Sequence, residues 1–189
     1  MRRRCSICLI CLAAACLPTA CSEQGTWTQV AADAPEYARQ REVASSASGQ
    51  LVSHLMGELS GALMHGGAQK AIAVCGERAS ALASEVGSEW KVHIGRTSQR
   101  LRNPLNDPPA WAAAHVASAA TEPAFFAGPS RQFGALYPIR LVPMCVQCHG
   151  RSEDLAPQVR AALQQNYPDD AATGFATGDL RGWLWVEVP

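Results

Sequence analysis

Two thiols and an imidazole stand within one five-residue run, Cys145-Val146-Gln147-Cys148-His149. Two intervening residues set a pair of sulfurs on one tight turn, and a histidine directly after them is carried beneath whatever the sulfurs hold. That spacing suits two thioether bonds to neighbouring haem vinyl groups with the imidazole on the iron. The same residues could instead be a redox-active CxxC pair, half of a zinc site or a structural disulfide. A zinc ribbon needs a second ligand pair, and only scattered histidines are available. A thioredoxin-like pair opens a helix after a βαβ unit, whereas this one follows a late strand. One covalent c-type haem is therefore the expected cofactor, attached through Cys145 and Cys148 and ligated by His149.

A six-coordinate iron needs a second protein ligand. The side chains able to supply it are Cys75, Met56, Met64, Met144, His54, His65, His93 and His115. Met144 adjoins the attachment site and is badly placed to reach the opposite face. For any single His or Met, packing or surface exposure is the commoner role. Cys75 taken alone reads as a small buried hydrophobe.

These groups must be positioned by the surrounding elements. Leu51, Leu55, Leu59 and Leu63 recur every four residues, which predicts a long helix from Glu36 to about Met64, with Gly49 a candidate break. His65-Gly66-Gly67 interrupts it, and the pattern resumes from Gln69 to about Val86 with Cys75 on the inward face. Trp90 to Gly95 reads as a short strand and Arg96 to Asn106 as a polar loop. Asp107-Pro108-Pro109 predicts a capped helix reaching about Ala120. Phe133 to Val142 reads as a strand whose Pro138 belongs at an edge or bulge. Asp154 is a candidate cap for a helix from Leu155 to about Gln165, Tyr167 to Gly174 an irregular turn, and Gly182 to Val188 a last strand. Helices first and strands mostly later predict an α+β domain with an antiparallel sheet.

The N-terminus has a different character. Arg2-Arg3-Arg4 precedes an apolar run from Ile7 to Leu17, the pattern of an export signal, and the run is shorter than the roughly 20 residues a membrane span needs. Leu17-Pro18-Thr19-Ala20-Cys21 resembles the lipobox of bacterial lipoproteins, with Cys16 a competing cleavage point. Residues 1–21 are thus expected to be a signal ending in a lipidated Cys21, residues 22–34 a tether, and residues 35–189 the haem-binding domain. The protein is expected in the bacterial periplasm, held to the membrane through the lipid. Cys5, Cys8, Cys11 and Cys16 leave with the signal. If Cys21 is acylated, the domain keeps Cys75, Cys145 and Cys148, an odd number that an oxidising compartment cannot pair completely. Removing Arg2, Arg3 and Arg4 from 16 basic residues leaves 13 against 16 acidic ones, a net of −3. Nucleic acid is thereby excluded as an expected partner.

Several stretches share a wider pattern: Ala71-Ile72-Ala73-Val74-Cys75; Gly95-Arg96-Thr97-Ser98; Leu101-Arg102-Asn103-Pro104-Leu105-Asn106; Cys145-Val146-Gln147-Cys148-His149-Gly150. With Tyr167-Pro168-Asp169, Gly174 and Gly178-Asp179-Leu180-Arg181-Gly182, the chain resembles the Tll0287-like (DUF3365) family of haem proteins over most of residues 22–189. The resemblance implies a PAS-like fold behind long N-terminal helices. It also implies an axial pair of His149 and Cys75. Arg96 and Arg102, with Asn103, are candidates to meet the haem propionates; loop architecture is the competing reading. Tyr167, Phe175 and Trp183 are expected in the core or the haem-pocket wall.

The expected role is electron transfer, with an unidentified redox partner. A redox or gas sensor working through a partner protein is the alternative. A peroxidase-type enzyme is a third reading, which would need one of the remaining histidines beside the iron.

Overall fold

The computed structural model describes residues 26–189; the export segment and Cys21 lie outside the described residues. The elements are β1 (Thr28–Val30), α1 (Ala38–Ala73), a π-helical turn (Val74–Arg78), α2 (Ala79–Trp90), β2 (His93–Thr97), α3 (Ala113–Ala117), β3 (Ala124–Ala127), β4 (Phe133–Arg140), α4 (Val146–His149), α5 (Pro157–Asn166) and β5 (Leu180–Val188). The strands form one antiparallel sheet in the order β1-β3-β4-β5-β2. This is the α+β, PAS-like arrangement of a sheet behind long N-terminal helices.

Alternation along β4 and β5 divides the core between the two sheet faces. Ala135, Leu184 and Val186 turn toward α1 and α2, where they join Ala44, Ala47, Leu51, Leu82 and Val86. Leu136 and Trp183 turn the other way and pack with Ala112, Val116 and Phe126. Ile72, Leu155, Val159 and Leu163 make a third cluster where α5 meets the end of α1, with Cys148 against its edge. That cluster seats the CxxCH segment.

The long helix runs through Gly49 without a break and bends at Gly67, whose φ of 65° and ψ of −171° lie outside the helical range. Glycine takes this backbone without a Cβ penalty. Seven residues further on the helix widens into the π turn that carries Cys75. Lys91, at φ 56° and ψ 47°, ends α2. Its left-handed cap delays the following strand to His93, so Arg96 and Thr97 are strand residues, not loop.

Four more expectations are corrected. Thr28–Val30 pairs with β3, and Trp27 stacks on Trp111 at 5.1 Å, so the expected tether of 22–34 is in part an edge strand of the domain. The helix after Asp107 is confined to Ala113–Ala117, and Asp107 caps nothing. Helix α5 starts at Pro157 with Ala156 before it, not at an Asp154 cap. Ala124–Ala127 is a strand where none is expected, because four residues after Pro123 are too few to display alternation. Pro138 is accommodated as anticipated: β3 reaches only to Leu136, leaving Pro138 one neighbour, with a bulge between Ile139 and Arg140.

Candidate haem-attachment site

Five segments converge on one cleft. The π turn brings Cys75, β2 brings Arg96, the following loop brings Arg102, the segment after β4 brings Cys145 and His149, and β5 brings Arg181. The cleft consists of two cavities of about 140 and 50 Å³, with Leu59, Cys75, Arg102, Cys145 and His149 lining both. Cys148 opens onto the smaller one. A much larger groove, about 590 Å³, lies between α2 and the outer edge of β2; it contains no cysteine, so size does not mark the site.

His149 is held on two sides. Its Nδ1 lies 2.7 Å from the carbonyl oxygen of Ala172, which makes Nδ1 the donor and leaves the lone pair on Nε2. Arg181 Nε is 3.3 Å from the same Nδ1; two N–H groups facing each other make no hydrogen bond, so this approach disfavours a charged imidazole and does not hold it. The Phe175 ring meets the imidazole edge-on at 6.4 Å, and the Arg100 guanidinium covers that ring at 4.2 Å. Burial, with Arg102 and Arg181 nearby, pushes the imidazole down to about 3. It is therefore neutral at ordinary pH, as a metal ligand must be.

The loop containing Ala172 is laid against the CxxCH segment by main-chain bonds. Phe175 N donates to His149 O at 2.9 Å and Gly174 N to Gly150 O at 2.7 Å. Gly174 adopts φ 79°, a left-handed value that lets the loop turn back toward β5.

Cys75, Cys145 and Cys148 are free thiols. Burial raises the Cys75 thiol, against the lowering influence of Arg96 and Arg102, and raises Cys148 to about 11. The Arg96 side chain donates from Nη2 to the Cys75 carbonyl at 2.9 Å, tying β2 to the π turn. Arg102, 8% exposed, pairs with Asp170 at 3.0 Å and donates to the carbonyls of Cys148 and Ala172. Its Nη1 is buried with no partner among the described residues.

Arg96 and Arg102 thus line the cleft, and both also secure its architecture. Asn103 accepts from Leu105 N and turns the loop. Tyr167 lines the larger cavity, Phe175 packs on His149, and Trp183 lies in the core of the opposite sheet face. Met56 lines the larger cavity and Met144 the smaller, whereas Met64 is 76% exposed. None of His54, His65, His93 and His115 lines either cavity. Asp170 and Arg181 received no role from sequence; Arg181 sits in a stretch that carries the resemblance, and Asp170 directly follows another.

A haem would ask these residues for two thiols, a neutral imidazole, a second axial donor and cations for two propionates. The cleft contains each: Cys145 and Cys148, the Nε2 lone pair of His149, Cys75, and guanidiniums including the unpartnered Nη1 of Arg102. The donor set fits the group.

The fold and site define an α+β protein with a CxxCH segment opening on a buried, arginine-rich cleft. The chain belongs to the Tll0287-like family, whose model matches residues 24–189. Among solved structures it is similar to the cyanobacterial heme-protein Tll0287, at 22% identity over 59% of this chain and 70% of that one, with a TM-score of 0.43. No curated protein matches the sequence.

Proposed function

We propose that this protein is an exported mono-haem c-type cytochrome acting in electron transfer. Cys145 and Cys148 attach the haem, His149 ligates the iron through Nε2, and Cys75 completes the coordination. The observation that carries the reading is the convergence of Cys75 with Cys145 and His149 on one cleft, although Cys75 lies 70 and 74 residues from them in the chain. A thiolate ligand stabilises ferric over ferrous iron, so the reduction potential is low. The export signal delivers the chain to the periplasm, where lipidation at Cys21 anchors it to the membrane and a partner protein exchanges its electrons.

The π-helical turn favours one second reading, a redox or gas sensor. Turns of this kind are uncommon and concentrate at functional sites. A ligand mounted on one, beyond the Gly67 bend, can leave the iron when the turn tightens, opening a position for carbon monoxide or nitric oxide. A partner protein would read the change.

The test is the electronic and electron paramagnetic resonance spectrum of the ferric protein, made with haem-attachment machinery, beside Cys75→Ser. Low-spin thiolate features are expected, and they vanish in the variant. Identical spectra would remove Cys75 from the iron and turn attention to Met56. A ferrous protein that binds carbon monoxide would favour the sensor; unchanged six-coordinate absorption favours the electron carrier.

A further inference from the structure

Asp170 lines neither cavity and makes no hydrogen bond of its own to the CxxCH segment, yet it is the hub of the bonds that orient His149. One carboxylate oxygen, Oδ1, accepts from Ala172 N at 2.8 Å. The other, Oδ2, accepts from Arg102 Nε at 3.0 Å. Arg102 Nη2 then donates to Cys148 O at 2.7 Å and to Ala172 O at 3.3 Å, and Ala172 O is the acceptor for His149 Nδ1 at 2.7 Å. The chain of bonds closes from the attachment cysteine to the histidine beside it, passing through a pair whose side chains are 7% and 9% exposed.

We propose that Asp170 and Arg102 are positioning residues for His149: together they clamp the Ala172 carbonyl that fixes its tautomer and its angle to the haem. This rests on the proposed ligation by His149 and extends it to two residues outside the coordination sphere. The chemistry follows from shared acceptors. A carbonyl that already accepts from Arg102 is a weaker acceptor for the imidazole N–H, so His149 keeps less imidazolate character and donates less strongly to iron. The carboxylate keeps the guanidinium in the plane that reaches both carbonyls, and a buried charge-assisted pair of this kind is geometrically exacting.

Asp170→Asn is the informative variant because it keeps the shape. An amide offers one acceptor oxygen where two donors, Ala172 N and Arg102 Nε, require two, so one arm of the clamp is lost. Arg102→Lys keeps the charge and loses the fork. Both would be made in the full chain with attached haem, after circular dichroism shows that each is folded. Reduction potential and the low-spin paramagnetic resonance signal would be recorded. Asp170→Asn is expected to alter the resonance signal, because one arm that orients His149 is lost, and to favour ferrous iron by about tenfold, about 59 mV for one electron, the lost negative charge outweighing the opposite effect of a freed Ala172 carbonyl. Arg102→Lys is expected to alter the resonance signal although the charge is retained, which a purely electrostatic role would not do.

Wild-type signals and potentials in both variants would overturn the proposal. Should the wild-type protein carry no covalent haem, the function proposed above falls, and the clamp is judged by nitrogen-15 shifts of His149 in the haem-free protein. A proton on Nδ1 in wild type that redistributes in Asp170→Asn supports the clamp; an unchanged tautomer refutes it.

Discussion

Gly76→Ala should disturb the turn that carries Cys75, and the responsible contact can be named. A Cβ at position 76 would fall well inside van der Waals contact with the Tyr167 hydroxyl, with the ring carbon Cζ next at 3.2 Å. Either Tyr167 swings away from the cavity it lines or the π turn shifts. Overpacking of this kind costs about 1–3 kcal/mol. For a domain of this size each kcal/mol moves Tm by about 2–4 °C, so a drop of about 2–12 °C is expected. Tyr167→Phe removes the offending oxygen and leaves the 3.2 Å contact, which a shift of a few tenths of an ångström relieves. The hydroxyl makes no hydrogen bond to the described residues, so that variant alone should cost under about 1 kcal/mol. Urea denaturation of wild type, both single variants and the double variant closes the cycle, with a coupling of about 1–2 kcal/mol in favour of the pair. The spectrum attributed to Cys75 should shift in Gly76→Ala and return in the double variant. Additive stabilities, with no rescue by Tyr167→Phe, would refute the packing of Tyr167 on the turn.

Two further outcomes test other parts of the structure. Trp27→Ala should cost about 2 kcal/mol by urea denaturation, since the indole stacks on Trp111 and covers Gly128 and Gly134; a tether residue would cost nothing. In haem-free protein that retains its fold, the His149 imidazole is lowered from 6.5 to about 3, so between those values the unfolded chain binds a proton that the folded chain refuses. Stability from this group is therefore fully present above about pH 6.5 and falls away as pH drops toward about 3, by at most roughly 5 kcal/mol. The wild-type minus His149→Gln difference in unfolding free energy between pH 7 and pH 4 measures it, and parallel pH profiles would contradict the burial of a neutral imidazole.

The motif at Cys145 to His149 and the helix of Leu51, Leu55 and Leu59 were legible because their information is local: spacing along the chain sets spacing on a turn or a helix face. Pro138 was legible for the same reason, as a residue that cannot donate to a second neighbour strand. Misreadings clustered where neighbours decide. Asp107 and Asp154 look like caps, but their helices start later, at Ala113 and Pro157. Thr28–Val30 is polar and unremarkable by composition, and it becomes a strand only because β3 offers an edge.

For the site, sequence alone determined which atoms can do chemistry: the thiols of Cys75, Cys145 and Cys148, and an imidazole tied to two of them. Resemblance to known haem proteins added that Cys75 belongs with them. Only the tertiary structure brought Cys75 across from a helix into the cleft of Cys145 and His149. It also decided which imidazole nitrogen keeps its lone pair, through a carbonyl 23 residues away, and gave Asp170 a task. Tautomers and acceptor strengths depend on distances of a few ångströms between segments remote in the chain, and the linear order of residues does not contain those distances.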